Sequence, residues 1–119
     1  MSLESCIEDF VVLWARDKWG VEHLKLSLST NAGWPDDVFL LPLRPAWIEF
    51  KRPGKKPQKL QEYRMEHLRS LGYDVSWFDN AEKAIQWLTA LRAARLSEKS
   101  SSDYDPAGMR GAFPRSGPR

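Results

Sequence analysis

The sequence predicts an α/β fold in which a mixed central sheet is flanked by helices in the order αβββαβα. Three observations predict it. Apolar residues recur at steps of three and four in three separate stretches, the signature of amphipathic helices. Four short segments between them have strand character, two of them separated only by a proline-bounded turn, "PLRP". The third and fourth of these strands enclose a helix, and a strand–helix–strand unit closes as a right-handed parallel crossover.

The first helix runs from Leu3 to Trp19, where Leu3, Ile7, Phe10, Val11 and Trp14 form one face and Gly20 ends it. Leu24, Leu26 and Leu28 alternate with Lys25, Ser27 and Ser29 as the first strand, and Ser29 to Pro35 reads as a loop. Asp36 to Leu41 is the second strand and Ala46 to Lys51 the third. After the loop "RPGKKP" a helix covers Gln58 to Leu71, closed by Gly72, and Asp74 to Phe78 is the fourth strand. Asn80 caps a last helix whose core face is Ala81, Ala84, Ile85, Leu88 and Leu91.

From Ser97 onward the composition changes to Ser, Gly, Pro and Arg. Such a segment buries too little apolar surface to offset its ordering entropy, so residues 1–96 are expected to fold and 97–119 to form a flexible tail. Its last ten residues carry three arginines and no acid, which permits weak contact with DNA. A chain of 119 residues with one cysteine, Cys6, contains no intrachain disulfide and no cysteine-rich zinc site. No signal-peptide pattern and no apolar run of ~18 residues occurs, and the expectation is a cytoplasmic protein of a bacterial or phage-infected cell, away from membranes. No Gly-rich phosphate loop is present, so no nucleotide cofactor is expected.

The charges inside the strands carry the functional reading. Trp47, Glu49 and Lys51 share one strand face while Ile48 and Phe50 share the other, and Asp36 opens the preceding strand. If these strands pair as a hairpin, Asp36 and Glu49 converge at one edge of the sheet. Two adjacent carboxylates raise each other's pKa unless a cation lies between them, and hard oxygen ligands suit Mg²⁺ or Mn²⁺. The backbone carbonyl of Phe50 is a further candidate ligand. Lys51 beside such an ion would orient water and stabilise charge on a phosphate. Five cations and no acid lie between Lys51 and Lys59 (Lys51, Arg52, Lys55, Lys56, Lys59), which fits either a phosphate-following patch or a solvated loop. Trp34 is a candidate to stack on a base, with packing as its competing use. Gln61 shares a helical stripe with Met65 and Leu68, and an amide in that position needs a partner. His23 and His67 each lack a partner at ligand spacing and are expected at exposed positions.

Asp36 followed after twelve residues by Glu49-Phe50-Lys51 resembles the PD-(D/E)-x-K nuclease signature. "GWPDD", "WIEFKRPGKKPQKLQ" and "LGYDVSWFDN" together resemble the small stand-alone VRR-NUC domain nucleases (virus-type replication-repair nucleases) over about Leu3 to Leu91. The resemblance implies a restriction-endonuclease-like core and a Mg²⁺- or Mn²⁺-dependent DNA endonuclease that selects branched DNA such as four-way junctions and acts as a homodimer. It implies Asp36 and Glu49 as metal ligands, Lys51 as the catalytic lysine, Gln61 as the glutamine of the following helix, and a glutamate on the first helix. Glu8 is the preferred glutamate, with Glu4 one turn earlier as the other choice, and the Ser5 to Glu8 spacing also fits a simple capping box. Asp37 departs from the family pattern, which has an apolar residue there. The competing reading is an inactive nucleic-acid-binding module on the same fold.

Overall fold

The computed structural model describes residues 2–27 and 32–102. Seven elements follow in the expected order: α1 (Leu3–Trp19), β1 (His23–Lys25), β2 (Asp37–Phe39), β3 (Ala46–Phe50), α2 (Lys59–Ser70), β4 (Asp74–Phe78) and α3 (Ala81–Ser102). The sheet order is β1-β2-β3-β4, with β1–β2 and β2–β3 antiparallel and β3–β4 parallel across the α2 crossover. This is the mixed, helix-flanked sheet in the αβββαβα order that the sequence predicts.

The two faces of the sheet carry different helices. Ala46, Ile48 and Phe50 join Phe39 against Val11 and Ala15 of α1 and Ala84 and Leu88 of α3. On the other face Met65 and Leu68 of α2 pack on Val75, with Trp34, Trp47 and Trp77 around them. Three of the six tryptophans therefore fill the smaller cluster, where large rings cover much area per residue.

Local chemistry sets the ends of the elements. Ser2 caps α1 by accepting the Ser5 amide at 3.0 Å, and Gly20 closes it in the left-handed region at φ 70°. Because the cap is Ser2, the capping box suggested by Ser5 and Glu8 does not form. Glu8 lies in the second turn, free to reach across to the sheet. Asn80 accepts the Lys83 amide at 2.9 Å, as expected of a cap on α3.

Several boundaries differ from the sequence reading. β1 spans only His23–Lys25, although the Leu26 N–H still donates in register to the Asp36 carbonyl at 2.7 Å; Leu28 lies outside the described residues. β2 is shorter by Asp36, Leu40 and Leu41 and β3 by Lys51, although Asp36, Leu40 and Lys51 each still make a backbone bond to the neighbouring segment. The helix α3 continues to Ser102, past the composition change at Ser97. Glu98 explains part of that extension, since its carboxylate takes a two-pronged bond from Arg44 of the "PLRP" turn at 2.9 and 3.0 Å. Residues 103–119 of the expected tail lie outside the described residues.

Candidate active site

The hairpin brings Asp36 and Glu49 together. Asp37 pairs with Ile48, so the preceding residue, Asp36, falls opposite Glu49 at the open end of β2–β3. Glu49 points to the α2 face and is only 8% exposed. Burial first, and then the nearby Asp36 charge, push its carboxyl up to about 7. Two groups offset that cost in part. Gln61 donates its amide Nε2–H to Glu49 Oε2 at 3.3 Å, and the Lys51 ammonium stands 3.8 Å from the same oxygen. The partner that Gln61 needs is thus Glu49 itself.

A carboxylate this buried, with one amide and one distant ammonium, is under-compensated. The all-oxygen donors of Asp36 and Glu49 fit a hard divalent cation. Phe50, the third candidate ligand through its carbonyl, has its side chain in the α1–α3 core, and the next amide, that of Lys51, bonds the Phe78 carbonyl at 2.8 Å.

Beside Lys51 opens a cleft of about 520 Å³ lined by Ser2, Glu4, Lys51, Arg52, Lys55, Lys56 and Gln58. The basic loop is held in shape by its own bonds. Gly54, at φ 84°, lets the turn close, its amide donates to Asp79 at 3.0 Å, and Lys55 donates to the Arg52 carbonyl at 3.0 Å. Lys59 stands apart, lining a neighbouring hollow with Tyr63 and Trp77. Trp34 is half-buried, with the Arg64 guanidinium 4.6 Å from its ring centre and His67 at its edge, and so has packing partners within the chain. Gly33, at φ 87°, allows the preceding loop to approach Leu60 closely: a Cβ there would stand 2.6 Å from Leu60 Cγ.

Sequence reasoning missed a second group, on the opposite face. His23 and Lys25 of β1 and Asp37 of β2 share the α1 side of the sheet, and Glu8 reaches down to them from α1. His23 Nε2 lies 2.5 Å from Asp37 Oδ1; the Lys25 ammonium donates to Glu8 and stands 3.5 Å from Asp37 and 3.3 Å from Asp36. The expectation that His23 is exposed and unpartnered is therefore corrected. The strand alternation that puts Asp37 inward puts His23 beside it. His67 is exposed as expected.

The two first-helix glutamates divide between the faces, Glu8 joining Asp37 and Lys25 while Glu4 lines the cleft with Lys51. Asp37 is fully buried, and its carboxyl is pushed up to about 10 by burial first and then by sharing a hydrogen bond with Glu8. For Glu8, burial pushes up, but bonds from Asp37 and Lys25 outweigh it and hold the carboxyl below its usual range. Burial pushes the His23 imidazole down. Burial opposes the Lys25 charge as well, yet Glu8, Asp37 and Asp36 raise its pKa above the ordinary lysine range. The signal that could have found this group was the pairing of Asp37 with a histidine and a lysine two residues apart on a neighbouring strand.

No family model matches the chain, and no curated protein matches it. Among solved structures the fold is similar to a protein described as "VRR_NUC domain protein", with a TM-score of 0.63 and 18% identity over 76% of this chain and 88% of that one. The chain therefore has a VRR-NUC-like fold.

Proposed function

We propose that this protein is a metal-dependent DNA endonuclease that hydrolyses phosphodiester bonds, with branched DNA such as four-way junctions as its preferred substrate. The observation that carries the reading is the meeting of Asp36 and Glu49 across the β2–β3 pair with Lys51 and Gln61 at the same carboxylate. Asp36, Glu49 and the Phe50 carbonyl would hold Mg²⁺ or Mn²⁺. Such an ion, when bound, supplies Lewis acidity and a water of lowered pKa.

The chain's own residues do the rest. Gln61 fixes the Glu49 carboxylate in one orientation. Lys51, 15% exposed at the mouth of the cleft, orients the attacking water and neutralises charge that grows on the phosphate. Arg52, Lys55 and Lys56 follow the phosphate backbone along the cleft, and Lys59 extends the basic track toward α2. Glu8 acts from behind through Lys25, which links it to Asp36. A chain this small meets both strands of a branched substrate as a homodimer, and we assign it to the cytoplasm. No helix among the described residues is long and apolar enough to cross a membrane.

A labelled four-way junction beside a linear duplex of the same arms, incubated with Mg²⁺, Mn²⁺ or EDTA, tests this. Symmetric junction cuts that vanish in EDTA and in Glu49→Ala are expected. Equal nicking of both substrates would remove the junction preference. Tight binding with no product in either metal would overturn the enzymatic reading in favour of an inactive binding module.

A further inference from the structure

The group on the α1 face has chemistry of its own. Glu8, His23 and Asp37 each present one ligand atom, and these three atoms all lie within 4.8 Å of one another. Donors bound to one ion at about 2.0–2.2 Å stand roughly 3–4 Å apart, so only small side-chain shifts would bring all three onto a common centre. The backbone already fixes their approach: His23 is paired with Phe39 and Lys25 with Asp37 in the β1–β2 ladder, and Glu8 is held over them by α1. His23 also lines a surface hollow of about 260 Å³ with Val12, Arg16, Val21 and Glu22, which gives the site a route to solvent.

We propose that Glu8, His23 and Asp37 form a second divalent-cation site, separate from Asp36 and Glu49, that takes a borderline transition ion of the Mn²⁺, Fe²⁺, Co²⁺ or Zn²⁺ class. The imidazole nitrogen decides the class, because Mg²⁺ and Ca²⁺ prefer oxygen alone whereas mixed nitrogen and oxygen donors suit first-row transition ions. Two carboxylates with a neutral imidazole match a 2+ charge. The site's present cation is the Lys25 ammonium, bonded to Glu8 and near both aspartates. Lys25 is half-exposed on a flexible stem, so it can swing into water when an ion enters. Lysine and metal ion compete for the same carboxylates.

The site does not depend on the nuclease reading, and its test uses no DNA. Full-length, metal-stripped protein is titrated with Zn²⁺ by calorimetry and with Co²⁺ by visible absorption, with thermal melts of each variant as the folding control. His23→Gln and Asp37→Asn are expected to weaken one class of Zn²⁺ binding at least about tenfold. The double variant Asp36→Asn/Glu49→Gln should retain that class, and Lys25→Met should tighten it several-fold. A gain of affinity cannot arise from misfolding, which keeps the test decisive if His23→Gln or Asp37→Asn unfolds. The proposal is overturned if Zn²⁺ affinity is indifferent to His23 in a folded variant, if Lys25→Met fails to tighten it, or if Asp36→Asn/Glu49→Gln abolishes it.

Discussion

Gln61 and Glu49 are joined in a way that leaves the amide a single orientation. Gln61 Oε1 accepts the backbone N–H of Gln58 at 2.8 Å, which only an oxygen can do, so the amide nitrogen must face the Glu49 carboxylate at 3.3 Å. One side chain therefore starts α2 and aims a carboxylate on β3.

Gln61→Ala should cost about 1 kcal/mol of stability through the lost cap contact, measurable by urea denaturation. Gln61→Glu should do more at the site than to the helix, since its carboxylate can still accept the Gln58 amide but repels Glu49. Tighter Mg²⁺ or Mn²⁺ affinity in Gln61→Glu than in Gln61→Ala, read by titration calorimetry, is the expected ranking, because the added carboxylate raises the cost of the ion-free site and attracts the cation.

Glu49 makes stability depend on pH when no divalent ion is present. Its folded pKa of about 7 lies above the ordinary 4.5, so the folded chain holds a proton that the unfolded chain has released. Stability should therefore fall as pH rises from about 4.5 to about 7 and stay reduced above that. The shift corresponds to a penalty of up to about 3 kcal/mol. In EDTA, Glu49→Gln should be more stable than the parent at pH 8 and nearly equal to it at pH 4, with denaturation midpoints as the readout. Asp37 adds a background slope of the same sign over a wider window in both proteins.

Element order and the Asp36–Glu49 meeting were legible in the sequence because each rests on local signals: helical spacing, a proline-bounded turn, and the two-residue period of a strand. The α1-face group was not. Glu8, His23 and Asp37 lie far apart along the chain, and their meeting depends on the β1–β2 register and on where α1 crosses the sheet, neither of which a periodicity contains. The extent of α3 was misjudged for a related reason. Composition after Ser97 argues for coil, but Glu98 gains a two-pronged partner in Arg44, 54 residues away.

Asp74 should prove more sensitive than its exposure implies. Arg95 is 3% exposed; its guanidinium bonds Asp74, while its Nε has no partner among the described residues and Glu98 is 4.0 Å away. Asp74→Ala strands that buried charge and should cost roughly 2–4 kcal/mol. Arg95→Met removes the charge and keeps the bulk, so it should be the milder change. Thermal melts of the two variants give the comparison directly.

Lys55 and Lys56 line the cleft without touching the carboxylates, so changing both to alanine should weaken DNA binding about equally for all sequences. The slope of log affinity against log salt should fall by about one to two. Fluorescence anisotropy across a salt series measures both quantities.

The shortness of β1 has a bearing on how molecules of this protein meet one another. β1 is a three-residue strand at the rim of the sheet, and its lysine turns inward toward Glu8 and the aspartates. A brief edge bearing an inward-turned charge is a poor template for another chain's backbone, because an added strand would find few free amides and a cation in its way. Lys25 thus guards the rim against fibre-like stacking while it occupies the carboxylates behind it. Removing that guard would cost solubility as well as the pairing of Glu8 and Asp37.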